Sequence, residues 1–141
     1  MAAKKELQEK ALAYRILESR LETLSKQRDL VVQRMVELES TIESVEEVQK
    51  SKEEVLFPLG SSAYTFGKPK VDKMIIEVGA GVALEKTPEE AVAVLKDREN
   101  EIENVLKNIQ AQMVDTVNRL EILGLEVEEL AEHDHEHLEA G

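Results

Sequence analysis

Apolar residues recur with a period of seven along two long stretches of the chain, and helix-breaking residues are concentrated between these stretches. All three prolines, Pro58, Pro69 and Pro88, and four of the six glycines fall between residues 58 and 88. Both residue types interrupt helices, because proline lacks a backbone N–H and glycine has high conformational freedom. The pattern therefore predicts two long helices separated by an insert of different structure.

The two stretches fit heptad repeats. In the first, nine of ten a and d positions from Tyr14 to Val45 are apolar, and in the second ten of twelve from Val92 to Leu130 are apolar. Such sustained repeats are typical of coiled coils. The sequence after Thr87 is a typical helix start, with a hydroxyl at the N-cap followed by proline and two carboxylates. We therefore expect a mainly α protein in which two helices of about 40 residues form an antiparallel coiled coil about 60 Å long.

Two polar residues inside these seams suggest how the helices are aligned. Arg28 interrupts the first seam and Thr116 lies in the second. An alignment with Arg28 opposite Thr116 keeps both polar groups away from aliphatic carbons, and it pairs Tyr14 with Leu130. A slip of one heptad would instead place Arg28 against Ile109, and both polar groups would face apolar side chains. We therefore expect the first alignment.

The insert, residues 54–87, contains four short runs rich in β-branched and aromatic residues, separated by glycines. It is predicted to form two β-hairpins that turn near residues 60–62 and 79–81. Gly79-Ala80-Gly81 could also begin a phosphate-binding loop. Such loops need a third glycine before a helix, or a GK[ST] sequence, and neither is present. A hairpin turn is the favoured interpretation.

Isolated hairpins leave unpaired backbone groups at their edges, and one narrow coiled coil cannot cover four apolar strands. We therefore expect copies of the insert, or of a related one, to join edge to edge into an oligomeric β-barrel platform. The predicted oligomerisation residues are Val55, Phe57, Leu59, Tyr64, Phe66, Met74, Ile76, Val78, Val82 and Leu84.

Composition narrows the range of functions. With 34% charged and 3% aromatic residues, the 141-residue chain has little material for a large globular core. The net charge of -12 opposes binding to nucleic acid or to anionic membrane surfaces. There is no cysteine, no membrane-spanning apolar run and no secretory-type leader, so we expect a cytoplasmic protein. No grouping of nucleophile and base points to an enzyme, and no cofactor is expected.

The free helix ends are the predicted contact sites for other proteins. The expected alignment sets Lys10 against Asp134 and Leu7 against His137, so that the apolar seam ends there. Gly124 weakens the second helix by about 1 kcal/mol relative to alanine. Loosened ends would expose aliphatic side chains that bind unfolded chains without sequence preference. The candidate client-binding residues are Leu7, Leu12, Ile122 and Leu125 outside the filled seam, together with Tyr14, Val127 and Leu130, for which a place in the seam core is the alternative.

The C-terminal tail interleaves His133, His135 and His137 with acidic residues. On a helix, His133 and His137 would share a face at a spacing able to bind a divalent metal, but no third ligand is fixed, and we expect no metal. The predicted organisation is one domain with four segments: the first coiled-coil helix at 1–53, the double hairpin at 54–87, the second helix at 88–132, and a disordered tail at 133–141.

The segments LFPLGSSAYTFGK and IIEVGAGVALEKTPEEAVAVLK, placed between two heptad helices, resemble prefoldin of the α class over nearly the whole chain. The α subunits of that family carry two hairpins between their helices. The resemblance implies an ATP-independent chaperone subunit that captures unfolded clients at coiled-coil tips and delivers them to a group II chaperonin. It also implies assembly of two α with four β subunits. A structural subunit that forms a filament or scaffold without holding clients is the alternative.

Overall fold

The computed structural model describes residues 2–51 and 53–140, and for residues 134–140 it describes the backbone alone. The chain is mainly helical with two small hairpins, which confirms the predicted fold class, while the barrel assembly stays a prediction. No described helix is long and apolar enough to cross a membrane. The elements are α1 (Ala2–Lys50), β1 (Val55–Pro58), β2 (Tyr64–Gly67), β3 (Met74–Gly79), β4 (Val82–Lys86) and α2 (Pro88–Ala140).

The start of α2 is capped as the sequence predicts. The Thr87 hydroxyl accepts a hydrogen bond from the Glu90 N–H at 3.2 Å and donates one to the Glu90 carboxylate at 3.1 Å. Such a cap contributes about 1 kcal/mol, because it satisfies an N–H that has no partner within the helix. The sequence places the end of this helix at residue 132, whereas α2 continues to Ala140.

In the first hairpin β1 pairs antiparallel with β2, and Leu56 lies opposite Phe66. Gly67 makes room for the ring of Phe57, since a Cβ added to this glycine would lie 3.3 Å from the ring. Within the described residues the first hairpin shares no strand pairing with β3 and β4, which form a second two-stranded sheet.

The second hairpin closes through a tight turn. Gly79 pairs with Val82, leaving Ala80 and Gly81 as a two-residue loop. Their φ angles are 51° and 75°, and two successive positive values are what a type I′ hairpin turn requires. The glycine-rich segment is therefore a hairpin turn and not a phosphate-binding loop. A β-bulge at Val78 interrupts the register of β3 immediately before the turn.

The chain forms two compact units, each with its own buried side chains. The chain-end unit comprises Met1–Val32 and Asn104–Gly141, and the hairpin unit comprises Gln33–Glu103. In the chain-end unit the buried residues are Leu24, Ile109 and Thr116, and in the hairpin unit the buried apolar residues are Ile42, Ile76, Pro88, Ala91 and Leu95.

Within the chain-end unit, α1 and α2 are aligned differently from the prediction. The ammonium group of Lys10 lies 3.0 Å from the carboxylate of Glu126. The ring of Tyr14 lies beside Gly124, 3.4 Å from where a Cβ would be, and not beside Leu130. Both contacts are displaced by about one heptad from the expected partners, and they correspond to the slipped alignment.

The prediction that Arg28 lies level with Thr116 is therefore wrong, and the contacts fit the alignment with Arg28 level with Ile109. Arg28 and Thr116 each have a polar partner within their own helix, so neither side chain requires the other as a partner. The buried Thr116 hydroxyl donates to the Gln112 carbonyl at 2.7 Å within its own helix. The guanidinium of Arg28 is directed out of the seam and pairs with Asp29 at 3.3 Å.

Candidate functional site

The first hairpin presents an apolar face to solvent. Leu56 and Phe66 are opposite one another and are 57% and 69% exposed. Tyr64 lies on the same face, two residues before Phe66 along β2, and is 61% exposed. Contiguous exposed apolar surface on a small fold marks a site of interaction with another protein. Phe57, on the opposite face, is partly covered by its contact with Gly67.

Of the two isoleucines of the second hairpin, one is buried and the other is exposed. Ile76 is only 9% exposed and belongs to the buried core of the hairpin unit, whereas Ile75 is 71% exposed. The guanidinium of Arg98 on α2 donates a hydrogen bond to the Glu77 carbonyl on β3. The helix and the hairpin are thus tied together within this unit, with Ile76 buried and Ile75 left for contacts outside it.

Most predicted oligomerisation residues are accessible, but Ile76 is not, and the structure corrects its assignment. The sequence prediction left out Leu56 and Ile75. It selected every second residue of each strand as a contact residue, and the sequence does not show which face of the strand packs inward. The alternation itself was the available signal. Of the remaining predicted residues, Val55 and Met74 are half-buried, and Phe57, Leu59, Tyr64, Phe66, Val78, Val82 and Leu84 are exposed.

In the chain-end unit, three of the predicted client-binding residues are exposed aliphatic side chains. Leu12 is 59% exposed, Ile122 is 60% and Leu125 is 63%. Sequence reasoning missed Ile16, which is 60% exposed one helical turn after Leu12. The other predicted residues, Leu7, Tyr14, Val127 and Leu130, are half-buried.

An open apolar groove also runs along this unit. It has a volume of about 720 Å³ and is lined by apolar side chains of both helices, including Tyr14, Leu21, Met113 and Val117. A second groove of about 500 Å³ shares Tyr14 and reaches Gly124. The lining offers apolar contact and solvent-exposed carboxylates, an arrangement that suits binding of apolar chain segments more than chemistry on a substrate.

Charge is distributed unevenly along the chain. Residues 88–141 carry 15 acidic against 4 basic side chains, and residues 55–67 carry none of either sign. In the chain-end unit Lys10 bridges Glu126 and Glu6, and its hydrogen bond to Glu126 raises the pKa of the Lys10 ammonium above the usual value. The outer part of α2 is thus strongly acidic and the first hairpin is uncharged.

Among the described side chains, no group of three His, Cys, Asp or Glu residues could hold a metal ion. The side chains of Asp134, His135 and His137 lie outside the described residues, so the tail metal site and the predicted contacts Lys10–Asp134 and Leu7–His137 fall outside them too.

Comparison with known proteins places this architecture in a family. The sequence profile of the family described as Prefoldin subunit matches residues 17–132. The chain belongs to the prefoldin family. It is 33% identical over 108 residues to prefoldin subunit alpha of Nitrosopumilus maritimus, covering 75% of this chain and 74% of that protein. It is 28% identical over 121 residues to prefoldin subunit alpha of Pyrococcus horikoshii, covering 82% and 81% of the two chains.

The fold agrees with this membership. A cryo-EM structure of filamentous PFD from Methanocaldococcus jannaschii superimposes with a TM-score of 0.71 at 22% identity, covering 82% of this chain and 98% of that chain. Family membership supports a prefoldin chaperone-type role for the chain, as one subunit of an oligomer.

Proposed function

We propose that this chain is an α-class prefoldin subunit that acts in the cytoplasm as an ATP-independent holding chaperone. It captures non-native polypeptides through the chain-end unit and passes them to a group II chaperonin. The observation that carries the proposal is the set of exposed aliphatic side chains on the outer parts of both helices, chiefly Leu12, Ile16, Ile122 and Leu125. Apolar contact is non-directional, so such side chains can bind unfolded chains of unrelated sequence.

Each contact of this kind is weak. Fully burying a leucine or isoleucine side chain contributes about 1.5–3 kcal/mol, and ordering an unfolded client opposes binding. Capture therefore needs several chain-end units acting on one client, and joining them in one assembly raises their effective concentration. We propose that the hairpins supply this assembly as a β-barrel platform of two α and four β subunits. No step of this function calls for a nucleotide, a cofactor or catalysis.

A second candidate is a structural subunit that forms a filament or scaffold without holding clients. The similarity of the fold to a filamentous PFD favours it, and so do the exposed hairpins, since unpaired strand edges can propagate a chain of subunits as readily as they can close a ring. The exposed side chains of the chain-end unit have no role in this alternative.

The test compares two quadruple serine variants within the chain-end unit. One changes Leu12, Ile16, Ile122 and Leu125. The matched control changes four exposed aliphatic residues that lie further from the chain ends on the same two helices. They are Leu30, Val32, Val105 and Val114. Each variant, assembled with β subunits, is assayed for suppressing the aggregation of a chemically denatured model protein.

We expect the first variant to need about tenfold more protein than the parent for equal suppression, because four apolar contacts are lost in every α subunit. The control variant should suppress aggregation as well as the parent does. Both serine variants should have melting temperatures within a few degrees of that of the parent. If the first variant holds the denatured protein as well as the parent does, the structural subunit becomes the better proposal.

A further inference from the structure

We propose that the two grooves of the chain-end unit form one site, the seam groove, which binds basic amphipathic segments of non-native polypeptides. In such a segment lysine or arginine residues flank the apolar ones. This inference rests on the proposed capture of clients by the chain-end unit, and it adds the chemical class of the bound segment and the place where it lies. It follows from the length of the seam groove, its apolar floor and the carboxylates along its rim.

The two grooves are continuous, because they share four apolar side chains between α1 and α2. The shared residues are Tyr14, Leu21, Val117 and Leu120. On α1 the lining extends from Tyr14 to Lys26, and on α2 it extends from Met113 to Glu128. At 1.5 Å per residue these stretches are about 18 Å and 22 Å long. The seam groove is therefore long enough for about four turns of a third helix.

The floor of the seam groove is apolar, and a glycine leaves it open. Gly124 has no side chain beside the ring of Tyr14, and the seam groove continues past this glycine to Leu125. Val117, in the middle of the floor, is 38% exposed, and the other three shared residues are half-buried. The packing of the two helices thus leaves apolar surface in contact with water, and the apolar face of a third segment can cover it.

The rim of the seam groove is acidic. Among the described residues, its lining contains a single cation, Lys26, and four carboxylates, those of Glu18, Glu22, Glu121 and Glu128. The Lys26 ammonium already lies 3.4 Å from the Glu22 carboxylate on its own helix. The other three carboxylates lie on both helices beside the apolar floor. A segment with cationic residues on both flanks of an apolar stripe complements this arrangement.

The acidic rim does not follow from the composition of α1. Residues 1–32, which contain the α1 part of the chain-end unit, carry seven Lys or Arg against five Asp or Glu side chains. Arg15 and Arg20 each adjoin a floor residue along the chain, yet neither belongs to the described lining. A stretch of helix with more cations than carboxylates therefore contributes mainly Glu18 and Glu22 to the seam groove.

The spacing of the carboxylates indicates how a helical segment would lie. Glu121 and Glu128 are seven residues apart, which places them on one side of α2 and about 10 Å apart. Cations two turns apart on a client helix can approach both, while a cation on the other flank approaches Glu18 on α1. A segment with acidic flanks would meet like charges on both sides. The acidic α2 of a second copy would meet the same repulsion.

Designed peptides test the charge preference. The probe is a fluorescein-labelled peptide of about four helical turns with leucine at helical spacing and lysine on both flanks. Matched peptides carry glutamine or glutamate in place of lysine. By fluorescence anisotropy at low salt, we expect the full-length chain to bind the lysine peptide at least about tenfold more tightly than the glutamate peptide, with the glutamine peptide between them.

A fourth peptide separates the apolar contribution from the ionic one. It keeps the lysines and carries serine in place of leucine, so it cannot cover the apolar floor. We expect it to bind at least about tenfold more weakly than the parent lysine peptide.

Two triple variants of equal net charge test the location of the site. The rim variant combines Glu18→Gln, Glu121→Gln and Glu128→Gln. The matched control removes three exposed carboxylates of the same unit that lie outside the described lining, through Glu9→Gln, Glu129→Gln and Glu132→Gln. The rim variant should bind the lysine peptide about five- to tenfold more weakly than the parent does. The control should stay within about twofold of the parent, because distant exposed charges are screened.

A pair of lysine variants tests the floor independently. Val117→Lys places a cation in the middle of the seam groove and should weaken binding of the lysine peptide about tenfold. Val105→Lys is the matched control, since Val105 is 49% exposed on the same helix and lies outside the described lining. It changes the net charge equally and should leave the affinity within about twofold of the parent.

Equal binding of the lysine and glutamate peptides, or equal effects of the variants and their controls, would overturn the inference and leave client capture standing. Tight binding of the serine-containing peptide would also overturn it, since the floor would then have no part in binding. A changed native mass of the rim variant would show that a second copy occupies the seam groove. If no peptide binds although the chain still suppresses aggregation, the inference alone fails. If suppression is absent as well, the proposed function fails with it.

Discussion

The two units of this chain expose apolar residues in different ways. In the chain-end unit the exposed residues lie on helices, whose backbone groups are already hydrogen-bonded. In the hairpin unit nearly all of them lie on the two hairpins, whose outer backbone groups are not paired within the described two-stranded sheets. Apolar side chains alone attract many partners weakly, whereas a strand edge also fixes direction and register. The comparison separates a surface suited to variable clients from one suited to a defined assembly.

The largest expected effect comes from two neighbouring residues of the hairpin unit. Ile76→Lys places a charge in the core and should lower the free energy of unfolding by several kcal/mol, whereas Ile75→Lys should leave the melting temperature within a few degrees of the parent. Ile75→Lys should instead lower the native mass, because it places a charge on a proposed contact surface. Circular dichroism melting and native mass spectrometry measure the two effects.

Equal melting temperatures of Ile75→Lys and Ile76→Lys would contradict the assignment of Ile75 to the surface, since both residues would then belong to one core. A matching pair in the chain-end unit is Ile109→Lys and Ile122→Lys, one buried and one exposed. Here the exposed variant should retain the native mass of the parent, because the chain-end unit is not proposed to assemble.

An intermediate effect is expected from two opposite exchanges of glycine and alanine. Ala80 has a φ of 51°, which costs an L-residue about 1 kcal/mol, so Ala80→Gly should stabilise the hairpin turn by a similar amount. Gly124→Ala should stabilise α2 by up to about 1 kcal/mol, because alanine is a better helix former and its Cβ would meet the Tyr14 ring at 3.4 Å, an ordinary contact distance.

Thermal melting measures both exchanges, and each should raise the melting temperature by a few degrees. The controls are Ala83→Gly on β4 and Ala111→Gly on α2, which should lower stability, because glycine weakens strand and helix interiors. A fall in stability on Gly124→Ala would show that the contact between Tyr14 and Gly124 is tighter than an added methyl group allows.

The smallest expected effect is a pH dependence in the chain-end unit. Glu126 raises the pKa of Lys10 above 10.5, so the folded chain holds this proton more tightly than the unfolded chain does. The stabilisation is complete below the unfolded pKa and is lost as the pH rises through the folded pKa. Lys10→Gln should therefore melt slightly below the parent near neutral pH, and the difference should vanish at strongly alkaline pH.

The pair is exposed, so screening keeps its effect small. The control for alkaline titration elsewhere in the chain is Lys26→Gln, since Lys26 forms an ion pair with Glu22 on its own helix, at 3.4 Å. A difference between Lys10→Gln and the parent that persists unchanged at high pH would show that the ion pair with Glu126 is not its source.

Local chemistry explains why the elements could be predicted. Glycine and proline mark the turns, the Thr87 hydroxyl marks the start of α2, and the heptads mark the seams, each through a property of the residue itself. The alignment of the helices could not be fixed in this way. A heptad repeat looks the same after a slip of one heptad, so that only Arg28 and Thr116 could distinguish the alternatives, and both are satisfied within their own helices.

The candidate contact surfaces could be predicted only in part, because the sequence pattern does not show how the elements pack. Alternation along β3 shows that Ile75 and Ile76 face opposite ways, but which one is buried depends on packing within the hairpin unit, where Arg98 on α2 is tied to the Glu77 carbonyl. Ile16 was missed because it lies outside both a and d positions, and positions outside a predicted seam receive little weight in a heptad count.

The uneven charge along the chain gives the acidic end of α2 and the uncharged first hairpin different expected responses to ionic strength. Residues 121–139 carry eight acidic and no Lys or Arg side chains, so in an assembly the outer parts of neighbouring α2 helices repel one another, while the uncharged first hairpin has no such repulsion. The screening length shortens from about 30 Å at 0.01 M salt to about 8 Å at physiological salt. We therefore expect added salt to let the proposed client-binding ends approach one another while leaving the proposed strand pairing unaffected, so that ionic strength would change the spacing of these ends without altering the number of subunits.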